Sequence, residues 1–240
     1  MISKIKLPGM TIEYTGKIPD NQLVLVGGGR QPDRQWLKTV ATDKELWCID
    51  HGMDICHELG LVPKYLLGDF DSCASDSLTW AEDHGAIIER FNPQKDFTDT
   101  QAALAKAKED DHYTILTGAL GKRFDHTYST VYSFGYSGIK GCIADEQETV
   151  LFLHDGETIS ITLDHNPKAI SLLPITDTMQ GVTTRGLYWE LKDAELTQSR
   201  PYAVSNIPAH NTDHTAATDA GTFTVSIAKG ILALYICQTE

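Results

Sequence analysis

The sequence of 240 residues carries 33 acidic and 20 basic side chains, which gives a net charge of −13. This length allows one large domain or two smaller ones, and the acidic balance argues against general nucleic-acid binding, which needs a basic surface. The five cysteines form no CxxC pair, and neither a signal peptide nor a membrane segment is visible. We therefore expect a cytoplasmic protein with reduced thiols and no membrane partner.

The first part of the chain, residues 1–145, alternates short apolar runs with helical patterns. A helix rich in Ala and Lys is predicted over 100–109. Strands and helices in alternation are typical of an α/β domain with a mostly parallel sheet and crossover helices. The predicted strands are 23–26, 46–49, 65–67, 86–88 and 114–117.

The remainder of the chain, residues 146–240, has a different pattern of apolar and polar residues. Short β-branched runs are separated by polar turns, and helical periodicity is absent. This pattern predicts an all-β sandwich domain. Its predicted strands are 149–153, 158–162, 169–173, 181–183, 223–227 and 231–235.

Two acidic pairs follow predicted strands. Asp69 and Asp71 stand two residues apart, so in extended chain they would face the same way, and a divalent cation would relieve their repulsion. The alternative is a plain turn. Asp96 and Asp99 stand at the start of the 100–109 helix, where Thr98 and Gln101 fit a capping box. The two acids would either extend the first pair or only add favourable negative charge at the helix start. Lys95, beside them, would contact phosphate or be solvated.

Glycines and a basic residue follow the last predicted strand. Gly118 and Gly121 would let backbone approach a nucleotide closely, and Arg123 can fork onto phosphate oxygens. Asp125 would join the metal set or hold a sugar hydroxyl. Because ligands bind beyond the carboxyl ends of parallel strands, these residues, with Asp50, should gather at one sheet edge. The sequence therefore predicts a magnesium-dependent nucleotide enzyme.

The ordered motifs resemble the thiamine pyrophosphokinase family. GDFDS at 68–72, KDFTD at 95–99 and GALGKRFDH at 118–126 look like its three signatures, and CIDHG at 48–52 resembles its acidic glycine turn. ISLLP at 170–174 and VSN at 204–206 are similar to its sandwich pattern. The resemblance covers about residues 22–238.

This resemblance implies Mg²⁺-dependent transfer of diphosphate from ATP, the co-substrate, to the hydroxyl of thiamine. It also implies an ATP- and Mg²⁺-binding α/β domain, a thiamine-binding and dimerisation sandwich, and a homodimer with active sites at the subunit interface. Asp71, Asp96 and Asp99 would bind the metal. The implied catalytic residues are Asp69, Asp71, Asp96, Asp99 and Arg123. The implied ATP-binding residues are Asp50, Gly52, Lys95, Gly118, Gly121, Arg123 and Asp125. Ser205 and Asn206 would bind thiamine from the partner subunit.

Three residues depart from the family pattern: His51 and Lys122 replace usual glycines, and Trp189 falls where a proline is common. His51 adds bulk at a close-approach turn, and Lys122 would either add a phosphate contact or block the pocket. Two alternatives stay open: a divergent paralogue that binds thiamine or a nucleotide without turnover, and a diphosphotransferase with another alcohol acceptor. The intact acidic positions favour the enzyme, because a pure binder has no need for mutually repelling carboxylates.

Overall fold

The computed structural model describes residues 1–209 and 221–239. It is a mixed α/β protein that divides into two compact units. One unit is continuous, Pro19–Asp145, and the other combines Met1–Ile18 with the chain from Glu146 onward. None of the helices in the described ranges is both long and apolar enough to cross a membrane.

The chain begins with a hairpin of β1 (Ile2–Leu7) and β2 (Met10–Thr15), whose turn contains Gly9 at φ +87°. Alternate side chains, including Ile5 and Ile12, are buried. The second strand pairs with a strand at Thr158–Leu163, so the hairpin belongs to the discontinuous unit. The sequence-based division placed these residues in the α/β domain. Local pattern could not show a pairing with so distant a strand.

The Pro19–Asp145 unit alternates strands and helices along the chain. Its strands are β3 (Asn21–Val26), β4 (Glu45–Ile49), β5 (Tyr65–Gly68), β6 (Ile87–Arg90), β7 (His112–Thr117) and β8 (Gly141–Ala144). Its helices are α1 (Arg34–Ala41), α2 (Gly52–Leu59), α3 (Ser75–Asp83), α4 (Asp99–Glu109) and α5 (Phe124–Ser137).

These six strands pair in parallel in the order β8-β7-β3-β4-β5-β6. Every residue of β7 and the last four of β3 are buried, which suits a sheet covered on both faces. Val26 is in register with both Thr117 and Cys48, and Ile49 with Leu67. The residues that follow these strand ends are therefore brought side by side.

Helix α4 begins at a capping box. Thr98 Oγ1 accepts from the Gln101 N–H at 3.2 Å, and Gln101 Oε1 accepts from the Thr98 N–H at 3.0 Å. Such a cap contributes on the order of 1 kcal/mol to helix stability. The capping box predicted for Thr98 and Gln101 is thus confirmed, and Asp99 is the first residue of the helix.

The second unit consists of antiparallel strands. They pair in two groups, β11-β15-β9 and β1-β2-β10-β14-β12-β13. Alternate residues such as Ile159, Ile161, Phe223 and Val225 are buried. The strands added here are β9 (Glu148–Leu153), β10 (Thr158–Leu163), β11 (Ala169–Pro174), β12 (Thr178–Arg185), β13 (Ala194–Thr197), β14 (Thr222–Ser226) and β15 (Leu232–Cys237).

Candidate active site

A cleft of about 750 Å³ lies at the carboxyl ends of β3, β4, β5 and β7. A second cleft, of about 890 Å³, lies at the opposite ends of these strands and contains none of the predicted site residues. We take the first as the candidate site, because ligands of parallel sheets bind beyond the carboxyl ends. The predicted residues that line it are Asp50, Asp69, Asp71, Asp99, Gly118, Gly121 and Arg123.

Asp50 fixes the turn after β5. Its Oδ1 accepts from the Phe70 N–H at 3.1 Å, and both residues have positive φ. A Cβ on Gly68 would stand 1.8 Å from the same Oδ1, so only glycine fits beneath this carboxylate. Burial raises the pKa of Asp50 to about 6; the Phe70 N–H opposes this shift, and the nearby charges of Asp99, Asp69 and Asp71 add to it.

Lys95 forms ion pairs with two of the predicted acidic residues. Its Nζ lies 3.1 Å from Asp99 Oδ1 and 3.7 Å from Asp69 Oδ2, and 8% of its side chain is exposed. Burial opposes the charge of Lys95, but the hydrogen bond and charge of Asp99 outweigh it, so the pKa of Lys95 is raised. This lysine contacts the acidic cluster but does not line the cleft.

Asp71 and Asp96 are both exposed but are placed differently. Asp71 lines the cleft, and its N–H donates to Asp69 Oδ1 at 3.2 Å. Asp96 does not line the cleft and stays a predicted ligand without support from its geometry. Within the described ranges, no three His, Cys, Asp or Glu side chains are grouped closely enough to hold a metal ion.

The glycine-containing loops that follow β3 and β7 lie against each other beyond the carboxyl ends of these strands. The Gly29 N–H donates to Gly118 O at 2.5 Å, and the Arg30 N–H donates to Leu120 O at 2.8 Å. A Cβ on Gly118 would stand 2.3 Å from Gly27 O. Close backbone approach therefore accounts for these glycines, whichever ligand the cleft takes.

Gly52 does not line the cleft. It is the first residue of α2, and a Cβ there would stand 2.1 Å from Val26 O. The helix start is thus packed directly against the end of β3. Gly52 therefore positions the two preceding residues, Asp50 and His51, and both of these line the cleft.

Arg123 lines the cleft in an ion pair with Asp125. The Arg123 Nε and Nη2 atoms donate to the two Asp125 carboxylate oxygens at 3.1 and 2.5 Å. The hydrogen bonds with Arg123 lower the pKa of Asp125, and those with Asp125 raise the pKa of Arg123. Asp125 itself does not line the cleft, so its contact is with the arginine.

The antiparallel unit has its own cleft, of about 490 Å³, lined by Ser205, Asn206 and mostly apolar side chains. The Asn206 amide donates to Trp189 O at 2.8 Å and accepts from the Trp189 N–H at 3.1 Å. Asn206 is buried, whereas Trp189 and Tyr202, which also line the cleft, are 58% and 52% exposed. Asn206 therefore holds the backbone of Trp189 in place. That Trp189 and Tyr202 line this cleft was not predicted: Trp189 was noted only where a proline is common in the family, and Tyr202 was not singled out.

Comparison with known proteins agrees with the resemblance inferred from the motifs. A family model described as "Thiamin pyrophosphokinase, catalytic domain" matches residues 37–140, and "Thiamin pyrophosphokinase, vitamin B1 binding domain" matches residues 157–223. The thiamine pyrophosphokinase of Bacillus subtilis is 28% identical over 217 residues, which cover 88% of this chain and 95% of that protein.

Solved structures share the fold. The crystal structure of thiamine pyrophosphokinase from Bacillus subtilis has a TM-score of 0.76 at 22% identity, with 92% of this chain and 100% of that chain covered. Thiamin pyrophosphokinase from Candida albicans has a TM-score of 0.73 at 18% identity, with 91% and 89% covered. Since the two family models together span more than half of the sequence, the chain belongs to the thiamin pyrophosphokinase family.

Proposed function

We propose that this protein transfers diphosphate from ATP to the hydroxyl of thiamine, giving thiamine diphosphate and AMP. The observation that carries the proposal is the cleft beyond the parallel strands, where Asp69, Asp71 and Asp99 share one space with Gly118 and Arg123. Acidic oxygens, close backbone and a guanidinium are the groups that a metal-bound polyphosphate requires. We infer the two substrates, ATP and thiamine, from membership of the thiamin pyrophosphokinase family.

The carboxylates of the cleft fit Mg²⁺. This ion is commonly held by one or two carboxylates together with substrate phosphates, so a protein-only cage of three ligands is not needed. Asp71 and Asp99 would hold it, with Asp69 in support. When bound, the ion would neutralise negative charge on the phosphate chain.

The reaction needs positioning and charge neutralisation rather than covalent catalysis. The thiamine oxygen forms a bond to the β-phosphorus, the bond from that phosphorus to the bridging oxygen breaks, and AMP leaves with that oxygen. A carboxylate of the cluster accepts the hydroxyl proton. Arg123, oriented by Asp125, stabilises negative charge on the phosphates.

Thiamine binding is proposed for the antiparallel unit, which we infer to be a β-sandwich. Its cleft offers Ser205 and the exposed ring of Trp189, a residue whose backbone is held in place by Asn206. An aromatic face suits a cationic, ring-containing ligand such as thiamine.

A homodimer is proposed because each unit exposes aromatic side chains. On α5, Phe124, Tyr128 and Tyr136 are 80%, 53% and 59% exposed at four- and eight-residue spacing, so they share a face. The antiparallel unit exposes Tyr188 and Trp189, whose ring centroids are 4.7 Å apart. Exposed apolar patches of this kind mark interaction surfaces. The cytoplasmic location stays a prediction from the sequence.

The test is a product assay. Protein incubated with ATP, Mg²⁺ and thiamine should yield AMP and thiamine diphosphate in equal amounts, resolved by ion-exchange chromatography. Omission of thiamine or addition of a chelator should abolish both products. A folded protein that binds thiamine and ATP but forms no product would instead be the non-catalytic paralogue. AMP formation only with a different alcohol would indicate another acceptor.

A further inference from the structure

Lys122 stands out in the cleft for its backbone as well as its charge. Its φ is +55°, a conformation that residues other than glycine adopt at a cost of roughly 1 kcal/mol. A residue kept in such a conformation beside a ligand cleft points to a function for its side chain.

The Lys122 side chain reaches across to the other glycine loop. Its Nζ donates to Gly28 O at 3.2 Å. The other cations around the cleft already face carboxylates: Lys95 contacts Asp69 and Asp99, and Arg123 contacts Asp125. Lys122 forms no ion pair with any described residue, so its positive charge faces a neutral carbonyl group instead of a carboxylate.

His51 also contacts Gly28. A Cβ on Gly28 would stand 3.1 Å from the His51 Cβ, so the histidine packs directly over this backbone. The ring is held by Asp54, whose Oδ2 lies 2.8 Å from His51 Nδ1 and whose Oδ1 accepts from the Ala74 N–H at 3.2 Å. The two residues that replace usual glycines of the family thus converge on Gly28.

We propose that Lys122 is a further polyphosphate ligand of this chain, and that His51 is a positioning residue that holds Gly28 for it. On binding of a nucleoside triphosphate, the Lys122 ammonium exchanges the Gly28 carbonyl for the β,γ-phosphate oxygens. The exchange is favourable because phosphate oxygens carry negative charge, so the ammonium gains a charge–charge attraction that a neutral carbonyl cannot supply. The flexible stem of lysine permits the movement. This inference rests on the proposed function for the identity of the nucleotide.

The test compares binding of magnesium-bound α,β-methylene ATP, which cannot release AMP, with binding of AMP, both by titration calorimetry. Lys122→Gly, which also relieves the backbone strain, should weaken the ATP analogue about tenfold, the loss expected for one charge-assisted hydrogen bond. Lys122→Arg should restore most of the affinity. AMP affinity should be nearly unchanged in both variants, and turnover should show a raised KM for ATP with little change in kcat.

The role of His51 is tested by a double-mutant cycle. His51→Gly should weaken the ATP analogue about threefold in the wild-type background but not in the Lys122→Gly background, because both act through Gly28. His51→Gln keeps a Cβ and a hydrogen-bonding side chain and should behave like the wild type. Additive losses, or a Gln variant as weak as the Gly variant, would contradict the positioning role.

The outcomes separate this inference from the proposed function. Unchanged binding of the analogue by Lys122→Gly overturns the inference alone, and tighter binding also makes Lys122 an obstruction. Weaker binding by Lys122→Gly in a protein that forms no thiamine diphosphate supports the inference and overturns the proposed function. A wild-type protein that does not bind the analogue overturns both.

Discussion

At the scale of single residues, the carboxylates of the cleft differ in how firmly the protein holds them. Asp50 is fixed by the Phe70 N–H, and Asp99 faces Lys95. Asp71 is exposed, and its carboxylate forms no ion pair within the described part of the chain. Asp71 is therefore the carboxylate best placed to take a ligand without breaking a contact of the fold.

We predict that Asp71→Asn leaves folding nearly intact and lowers turnover by orders of magnitude, because an amide cannot supply the charge that a metal-bound phosphate chain requires. Thermal unfolding and AMP formation measure the two effects. Asp76→Asn, an exposed acid in the first turn of α3 outside the cleft, is the matched control and should retain turnover. An Asp71→Asn protein with full activity would refute the metal role.

Asp50 makes stability depend on pH. Its pKa is raised from 3.8 to about 6 in the folded protein, so between these values the folded state binds more protons than the unfolded state. Stability therefore falls as the pH rises through this window. Asp50→Asn keeps an oxygen for the Phe70 N–H but does not titrate.

The prediction concerns the difference in unfolding free energy between wild type and Asp50→Asn, measured by urea titration in chelator-containing buffer. The stability of the wild type relative to Asp50→Asn should fall from about pH 4 to about pH 6 and stay constant above that. A difference that is constant with pH, or that moves in favour of the wild type, would contradict the raised pKa.

At the scale of elements, the cleft depends on how closely α2 starts against β3. Gly52→Ala should destabilise the protein by roughly 1–3 kcal/mol, because the new methyl group would overlap Val26 O. Gly60→Ala is the control: it lies at the end of the same helix at φ +68° with open space around it, and should cost about 1 kcal/mol from backbone strain alone. Chemical denaturation would measure both. Equal losses would mean that the contact with Val26 relaxes freely.

The elements around the cleft were largely predictable from sequence. Strands β3, β4, β5 and β7 are buried runs of apolar residues, so their positions and the convergence of Asp50, Asp69, Asp71 and Asp99 at one edge followed from the strand-end rule. Helix α4 was predictable from its composition and cap.

The features that sequence did not reveal depend on long-range contacts. The hairpin of β1 and β2 alternates buried and more exposed side chains, but its partner strand is β10. The Trp189 backbone is held by Asn206, and Lys122 reaches Gly28 across two loops. Asp96 was grouped with Asp99 by spacing, yet only Asp99 lines the cleft, because α4 begins between them.

At the scale of the whole molecule, the units carry different parts of the proposed activity. The α/β unit holds the acidic cleft, and the antiparallel unit holds the aromatic cleft with Trp189 and Tyr202. Because both units expose aromatic side chains, association between copies is the expected state.

Sedimentation equilibrium should therefore give twice the chain mass of 26.5 kDa. Tyr128→Glu, on the exposed face of α5, should shift the protein toward monomer, because a charge buried in an interface is costly. Val62→Glu replaces an exposed apolar residue outside both aromatic patches and should leave the dimer intact. A monomeric wild type, or a Tyr128→Glu dimer of unchanged affinity, would refute this interface.

In the proposed reaction, two phosphates move together from ATP to thiamine. ATP labelled separately at the α- and β-phosphorus distinguishes this transfer from an ordinary kinase reaction. The β label should appear in thiamine diphosphate, bonded to the thiamine oxygen, and the α label should remain in AMP. A β label that stays in ADP, with thiamine monophosphate as the other product, would contradict this transfer.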